Sequence, residues 1–229
     1  MLFRSLICDS SYDTTGTWGG LSPFGRKVVK EMNRVGIMVD ISHVTDDVIN
    51  QVLDMTDVPV IASHSSCRHF TPGWERNMGD AEIRRLKDNG GVIQINYGSS
   101  FVTQEAQDKR KANGEKIAAY AKENGLGNDD ETLKTYAEKV NAENPMYADI
   151  TEVVDHIDRV VALAGIDHVG IGSDYDGVGD SLPYGLKDAS SYPNLIFHLL
   201  KRGYSEEDIE KICYKNVWRV WSAVEVAAN

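Results

Sequence analysis

Short apolar segments alternate with amphipathic segments along most of this chain. Four apolar runs, at residues 37–41, 58–62, 92–95 and 169–172, are hydrophobic at nearly every position. Runs of this kind are typical of strands covered on both faces, because a strand with one exposed face alternates apolar and polar residues. Since amphipathic segments separate most of the runs, the pattern predicts an α/β fold with about four units of strand and helix in a parallel sheet.

Capping residues mark where the helices begin and end. Ser22 and Pro23 begin a helix that Gly36 ends, with proline in its favoured first position. Thr45 is expected to cap the next helix and Asp80 the one after it, because hydroxyl and carboxylate oxygens accept the free N–H groups of a first turn. The predicted helices therefore lie between the predicted strands.

Residues 103–144 interrupt this alternation and are rich in Lys, Glu, Ala and Asn. A thin apolar stripe of Ile117, Ala118 and Tyr120 predicts one or two exposed helices. Two roles stay open for the segment, a solvated surface insertion and a lid that covers a substrate. We expect a single domain over residues 1–229 with a helical insertion at about 103–148.

Composition excludes several classes of function. The chain has 229 residues, with 24 Lys and Arg against 35 Asp and Glu, for a net charge of -11. This charge and the absence of a basic patch argue against a nucleic-acid partner. The longest apolar runs are far shorter than the roughly 20 residues of a membrane span. No secretory signal is visible, and any signal would lie upstream, so the compartment stays unknown.

Two histidines follow apolar runs at matching positions. His43 comes after the run at 37–41 and His64 after the run at 58–62. The carboxyl ends of parallel strands share one edge of the sheet, where sites are built, so the two imidazoles should lie on neighbouring strands. Two converging imidazoles suit one divalent metal ion, with zinc the natural choice. The alternative is a pair of core histidines that bond to backbone carbonyls.

An aspartate and an arginine are the other candidates. Asp174 follows the run at 169–172, where a carboxylate can bind a metal, accept a proton from water or hold a substrate ammonium group. The alternative is that Asp174 caps the following turn. Arg76 follows His64 in a loop, where a guanidinium suits a substrate carboxylate. From the residues alone, a surface salt bridge is the favoured interpretation of Arg76.

Five motifs together resemble the membrane (renal-type) dipeptidase family, peptidase family M19. They match that family in order and spacing, and the resemblance runs from about Cys8 to the C-terminus. The motifs are Gly-Leu-Ser-Pro-Phe-Gly at 20–25, Val-Asp-Ile-Ser-His at 39–43, Ile-Ala-Ser-His-Ser-Ser at 61–66, Arg-Asn at 76–77 and Gly-Ser-Asp-Tyr-Asp-Gly at 172–177.

The resemblance implies a (β/α)8 TIM-type barrel of the amidohydrolase superfamily that hydrolyses dipeptides with two zinc ions bridged by a glutamate. By the same resemblance, His43 and His64 match the histidines of one zinc site. Asp174 matches the acidic residue that handles the substrate amine and the proton of the attacking water. Arg76 matches the arginine that holds the C-terminal carboxylate of the substrate.

The chain also departs from the family pattern. The His-x-Asp pair of the first barrel strand, the bridging glutamate and a further substrate-binding histidine have no counterpart, because Met1 aligns past the family's fourth strand. We therefore expect only the C-terminal half of the barrel, about four βα units. We also expect at most one zinc ion, weakly bound. A homo-oligomer, or another chain that supplies the remaining strands, would complete the barrel.

Three functions remain open on this basis. The favoured one is zinc-dependent dipeptide hydrolysis by a chain that is truncated at its N-terminus and inactive if the absent ligands are essential. The second is a non-catalytic fragment or one half of a split barrel. The third is a mononuclear amidohydrolase that acts on lactones or cyclic amides through His43, His64 and Asp174.

Overall fold

Three short parallel strands form the sheet of this protein. The computed structural model describes residues 6–228, in which the strand order is β1-β2-β3 and both neighbouring pairs are parallel. Helices make up most of the remaining chain, which confirms the predicted α/β fold. The strands are β1 Ile61–Ser65, β2 Val92–Ile95 and β3 Val169–Ile171.

The α-helices vary from one turn to more than five turns. Short 3₁₀ turns lie at Arg68–Phe70, Ile166–His168 and Ala189–Ser191, and a π-helical turn lies at Lys211–Lys215. The α-helices are α1 Pro23–Val35, α2 Asp46–Met55, α3 Asp80–Asn89, α4 Ser99–Val102, α5 Gln104–Asn124, α6 Glu131–Glu143, α7 Ile150–Ala164, α8 Tyr192–Arg202, α9 Glu206–Glu210 and α10 Asn216–Ala227.

Two of the expected helix caps are confirmed and one is wrong. The hydroxyls of Ser22 and Thr45 accept backbone N–H groups in the first turns of α1 and α2. The residue that precedes α3 in capping position is Gly79 rather than Asp80. The carboxylate of Asp80 instead forms an ion pair with Arg159 of α7. A partner distant in sequence therefore outcompetes the local cap.

The run at 37–41 does not form the predicted strand. Only a single parallel bridge joins Asp40 to Ile61, although the segment does lie beside β1. Beyond the bridge, Oδ1 of Asp40 accepts the backbone N–H groups of Ser42 and Ser63, at 2.9 and 3.1 Å. The Asp40 carboxylate thus accepts from backbone N–H groups that would otherwise pair the two segments. The pairing between this segment and β1 therefore ends after one bridge.

β1 lies three residues later than the run that predicted it. The side chain of Asn89 accepts from the N–H of Val60 at 2.9 Å and donates to the carbonyl of Val58 at 3.1 Å. This amide therefore takes up backbone groups in the first part of the run. The strand then extends through His64 to Ser65, and its pairing with β2 is irregular between Ala62 and Ser65.

The core lies on and around β2. All four β2 residues are buried, as expected of the central strand in a covered parallel sheet. α7 adds Val153 and Ile157 to the main core, and Val220 of α10 packs against Ile61 and Val92 in a second cluster. The sheet is therefore covered by packed apolar side chains on both faces.

Large apolar side chains are exposed on α1 and α10, which contact each other. Phe24 and Ile37 lie on or just after α1, and Trp218 and Trp221 lie on α10 with their rings stacked 5.3 Å apart. We call these four side chains the α1/α10 face. Within residues 6–228, no helix is long and apolar enough to cross a membrane.

Candidate active site

Polar side chains collect at the carboxyl edge of the sheet. His64 lies near the end of β1, Asn96 directly follows β2, and Asp174 follows β3 by three residues. His43 follows the bridged residue Asp40 by three positions, as His64 follows its bridge partner Ile61. This register places the two histidines side by side, where parallel α/β sheets form their sites.

The imidazoles of His43 and His64 meet through their Nε2 atoms, which are 2.7 Å apart. Their ring centroids are 4.8 Å apart. His43 has a φ of 66°, a left-handed conformation that turns the chain directly beyond the bridge. The predicted proximity of the two histidines thus agrees with the geometry.

A hydrogen-bonded chain fixes the protonation of His64. The hydroxyl of Ser63 lies 2.5 Å from Oδ2 of Asp40 and 2.7 Å from Nδ1 of His64. Because a carboxylate only accepts, Ser63 donates to Asp40 and accepts from the Nδ1–H of His64. Nε2 of His64 then carries a lone pair, which is the state that ligates a metal.

The electrostatic environment of His64 also favours its neutral form. Burial lowers the pKa of the imidazole, and the positive charge of Arg76 lowers it further. The carboxylates of Asp174 and Asp40 oppose this shift without cancelling it. His64 is therefore a neutral nitrogen donor at physiological pH.

Asp174 is held by the residue that follows β2. The amide of Asn96 donates to its Oδ2 at 2.9 Å. Asp174 has a φ of 56° and is the other non-glycine residue with a left-handed backbone in the described chain. A Cβ atom on Gly177 would lie 2.1 Å from Oδ1 of Asp174, so the carboxylate occupies space that a side chain at 177 would need.

Arg76 is buried, with 2% of its surface exposed. Its guanidinium donates to Oγ of Ser65 at 2.8 Å and to the carbonyl of His64 at 2.7 Å, and it lies 5.1 Å from the ring centroid of Phe101. Within the described residues, no carboxylate lies within ion-pair distance of it. The surface salt bridge considered for Arg76 is therefore wrong, because the side chain is buried.

Burial lowers the pKa of the Arg76 guanidinium, although Tyr12, Asp174 and Asp40 act in the opposite direction. A buried cation without a paired carboxylate is costly unless an anion binds beside it. Arg76 is thus suited to bind the carboxylate of a ligand. Its bonds to Ser65 and to the His64 carbonyl would hold the guanidinium in place beside the histidine pair.

Sequence reasoning missed the residues that support the four candidates. Asp40 and Ser63 orient His64, Asn96 holds Asp174, and the ring of Tyr12 lies 5.7 Å from that of His43. Asp40 and Ser63 lie inside the motifs that identified the histidines, so their positions carried a signal. Asn96 directly follows a predicted strand, so its position indicated a site residue in the same way as that of His64. Tyr12 offered none.

The donors present fit part of a metal site. Two imidazole nitrogens converge, and the tautomer of one is fixed in the form that binds metal. Over residues 6–228, no cluster of three or more His, Cys, Asp or Glu side chains brings a third ligand to them. A catalytic zinc site ordinarily has three protein ligands, so this pair provides two of them.

Comparisons of the sequence and of the fold with known proteins point to the same family. The profile of membrane dipeptidase (peptidase family M19) matches residues 5–229. The chain is 35% identical over 229 residues to an uncharacterised dipeptidase, C965.12, of Schizosaccharomyces pombe, and this match covers 96% of the chain and 45% of the fission yeast protein.

Two solved structures are similar to this fold. The probable dipeptidase PvdM from Pseudomonas aeruginosa matches with a TM-score of 0.79 and 30% identity, over 97% of this chain and 60% of that protein. A metallopeptidase from Rhodobacter sphaeroides, liganded with a phosphinate mimic of the dipeptide L-Ala-D-Ala, matches with a TM-score of 0.69 and 25% identity, over 91% and 48%. The chain thus spans about half the length of the curated relatives it matches.

Proposed function

Because the chain belongs to the membrane dipeptidase family, peptidase family M19, we propose that it hydrolyses dipeptides with the help of a divalent metal ion. The family is one of metallopeptidases, and zinc is the ion we propose, since two converging imidazole nitrogens suit it. The phosphinate dipeptide mimic bound by the Rhodobacter relative supports a dipeptide as the substrate class.

The observation that carries this proposal is the position of Arg76. Its buried guanidinium has no paired carboxylate in the described part of the chain, and it donates to the carbonyl of His64, whose Nε2 meets that of His43. A dipeptide has a free carboxylate next to its single peptide bond. A carboxylate held at Arg76 would therefore bring the scissile bond near the histidines.

We assign the following roles within this arrangement. His43 and His64 would hold the metal, which supplies Lewis-acid polarisation of the scissile carbonyl and activation of water when bound. Ser63 and Asp40 keep the lone pair of His64 on Nε2. Asp174 would accept the proton of the attacking water at Oδ1, since Asn96 occupies Oδ2, and would hold the substrate ammonium group.

We also propose that the sheet is part of a (β/α)8 barrel that other strands complete. In the described residues, β3 pairs only with β2, and the α1/α10 face is exposed and apolar. A second copy of this chain, or another chain, would cover these surfaces. The three metal ligands that this site lacks relative to the family, the His-x-Asp pair and the bridging glutamate, would then come from outside the described residues or be absent.

Hydrolysis of a dipeptide and of its C-terminal amide tests the assignment. With added zinc or cobalt, we expect the chain to cleave a dipeptide and to cleave the amide at least ten times more slowly, because the amide offers no carboxylate. Arg76→Lys should lower kcat/KM for the dipeptide about tenfold and leave the amide nearly unchanged, since lysine cannot replace a planar guanidinium. Equal losses on both substrates would contradict the role of Arg76.

Metal content tests the histidine pair. We expect at most one equivalent of zinc, easily removed by chelators, and no bound zinc in the His43→Ala, His64→Ala double variant. His198→Ala, a half-buried histidine on α8, is the matched control and should bind as the original chain does. Two tightly bound equivalents, or zinc retained by the double variant, would overturn the assignment.

A mononuclear amidohydrolase that acts on lactones or cyclic amides is a second candidate. The observation that favours it is that His43 and His64 have no third clustered ligand within residues 6–228. The same assay on lactones and cyclic imides separates the two enzymes. A chain that binds no metal and cleaves none of these substrates would be a non-catalytic half of a barrel.

A further inference from the structure

A cavity of about 400 Å³ opens between the candidate site and helix α5. One wall is aromatic and comes from the segments before α1, after β1 and in α4. The opposite wall is polar and comes from α5. The lining residues are Tyr12, Trp74, Ser100, Phe101, Gln107, Arg110, Lys111 and Gly114.

The aromatic wall connects the cavity to the proposed catalytic groups. The ring of Tyr12 lies 5.7 Å from that of His43, and Phe101 lies under the guanidinium of Arg76 at 5.1 Å. Trp74 joins the two, with its ring 6.5 Å from Tyr12 and 4.8 Å from Phe101. A ligand whose carboxylate binds Arg76 would thus have this cavity directly beside it.

Tyr12 is held at this place by backbone bonds of its neighbours. The N–H of Ser11 donates to the carbonyl of His43 at 3.0 Å, and the hydroxyl of Ser10 donates to the same oxygen at 3.3 Å. The segment that carries Tyr12 is therefore joined directly to the backbone of His43.

The polar wall carries two cations that face the cavity. Nη1 of Arg110 donates to Oγ of Ser100 at 3.2 Å, which places the guanidinium over α4. In the described chain, no carboxylate lies within ion-pair distance of Arg110 or Lys111, whereas the neighbouring Lys109 pairs with Glu105 at 2.7 Å. Arg110 and Lys111 are therefore available to an anionic group in the cavity.

We propose that this cavity binds an acidic side chain on the C-terminal residue of the dipeptide, with Arg110 and Lys111 as its charge partners. The aromatic rings of Trp74 and Phe101 would pack against the methylene groups, and the cations would bind the terminal carboxylate. Substrates ending in glutamate or aspartate are then preferred. This inference rests on the proposed dipeptide hydrolysis, because it places the C-terminal carboxylate at Arg76.

Hydrolysis of two isosteric dipeptides, Ala-Glu and Ala-Gln, tests the preference. We expect kcat/KM to be about tenfold higher for Ala-Glu, and the Arg110→Gln, Lys111→Gln double variant to lose that difference while its rate on Ala-Gln stays the same. Lys116→Gln, an exposed cation on the same helix away from the cavity, is the matched control. Salt at 0.5 M should also reduce the preference, since it screens exposed charges.

Equal rates on the two dipeptides, or a double variant that retains the preference, would overturn the proposal. Faster cleavage of Ala-Phe than of Ala-Glu would also overturn it and would make the cavity an aromatic pocket.

A binding measurement separates this inference from the proposed function. Titration of the full chain with Ala-Glu and Ala-Gln, followed by calorimetry, should give about tenfold tighter binding of Ala-Glu, and the double variant should remove the difference. If the chain cleaves no dipeptide with any metal but shows this difference, the proposed hydrolysis fails and the acidic subsite stands. If the two ligands bind equally, the subsite fails whatever the rates are.

Discussion

Gly177 leaves room for the carboxylate of Asp174 because it has no Cβ atom. A Cβ atom there would overlap Oδ1 of Asp174, at 2.1 Å, so alanine would displace the carboxylate from the amide of Asn96. We expect Gly177→Ala to lower kcat/KM for dipeptides roughly 10- to 100-fold, because a misplaced general base loses reactivity steeply with distance. Residue 177 is exposed, so the free energy of unfolding should change by less than about 0.5 kcal/mol.

Gly127→Ala is the matched control for that substitution. A Cβ at this position would meet no atom within 4 Å. Steady-state rates and urea unfolding of the two variants give the comparison. Full activity in Gly177→Ala would remove Asp174 from the reaction.

His43, His64 and Asp174 were within reach of sequence reasoning because each closely follows an apolar run, whereas Arg76 was singled out in a loop by its charge and by the family resemblance. Their hydrogen-bond partners were less accessible. Ser63 bridges Asp40 and His64 inside β1, which begins at Ile61, three residues later than its apolar run. The side chain of Asn89 bonds to backbone groups in the first part of that run. Hydrogen bonds between a side chain and distant backbone groups determine where a strand begins and which side chains meet. The local pattern of apolar and polar residues does not predict these bonds.

At the scale of elements, helix α7 is tied to the loops around the site through His156. This residue is fully buried, its Nδ1 accepts from the N–H of Cys67, and its Nε2 donates to the carbonyl of Val102, both at 2.9 Å. Its function is to join three elements, which its position in a helix could not reveal.

The titration of His156 gives a prediction for stability. Burial lowers its pKa to about 4, against roughly 6.5 in the unfolded chain. The unfolded chain therefore binds a proton first as the pH falls, and the contribution is complete above about pH 6.5 and lost progressively towards pH 4. Between pH 7.5 and pH 5.5 this group should remove about 1.4 kcal/mol from the free energy of unfolding.

Urea unfolding at both pH values checks this expectation. His156→Gln should be less stable at pH 7.5, by about 1–3 kcal/mol, because the N–H of Cys67 loses its acceptor. It should also lose the part of the pH dependence that His156 causes. His198→Gln is the control and should retain that dependence. A His156 variant whose pH dependence matches that of the original chain would contradict the assignment.

At the scale of the whole molecule, the exposed α1/α10 face predicts self-association. Trp218 and Trp221 are exposed and stack beside each other, and exposed apolar patches mark contact surfaces. We expect light scattering to give a mass that rises with concentration in the micromolar range. Replacing both tryptophans with glutamine should weaken association at least tenfold.

Phe197→Gln provides the comparison, since this exposed side chain lies on α8 outside the α1/α10 face. It should leave association unchanged. A species that stays monomeric over the dilution series, unfolds cooperatively and binds no apolar dye would show that the sheet is stable without a partner.

The left-handed backbone at His43 and Asp174 limits how this protein can be made more robust. An L-residue in that conformation costs roughly 1–2 kcal/mol relative to glycine, which adopts it freely. Random mutagenesis screened for heat resistance alone would therefore select glycine at 43 and 174, at the two positions where we assign a metal ligand and a proton acceptor. Directed evolution of this protein needs a joint screen for heat resistance and turnover, because relief of this backbone strain would remove the proposed metal ligand and the proposed proton acceptor.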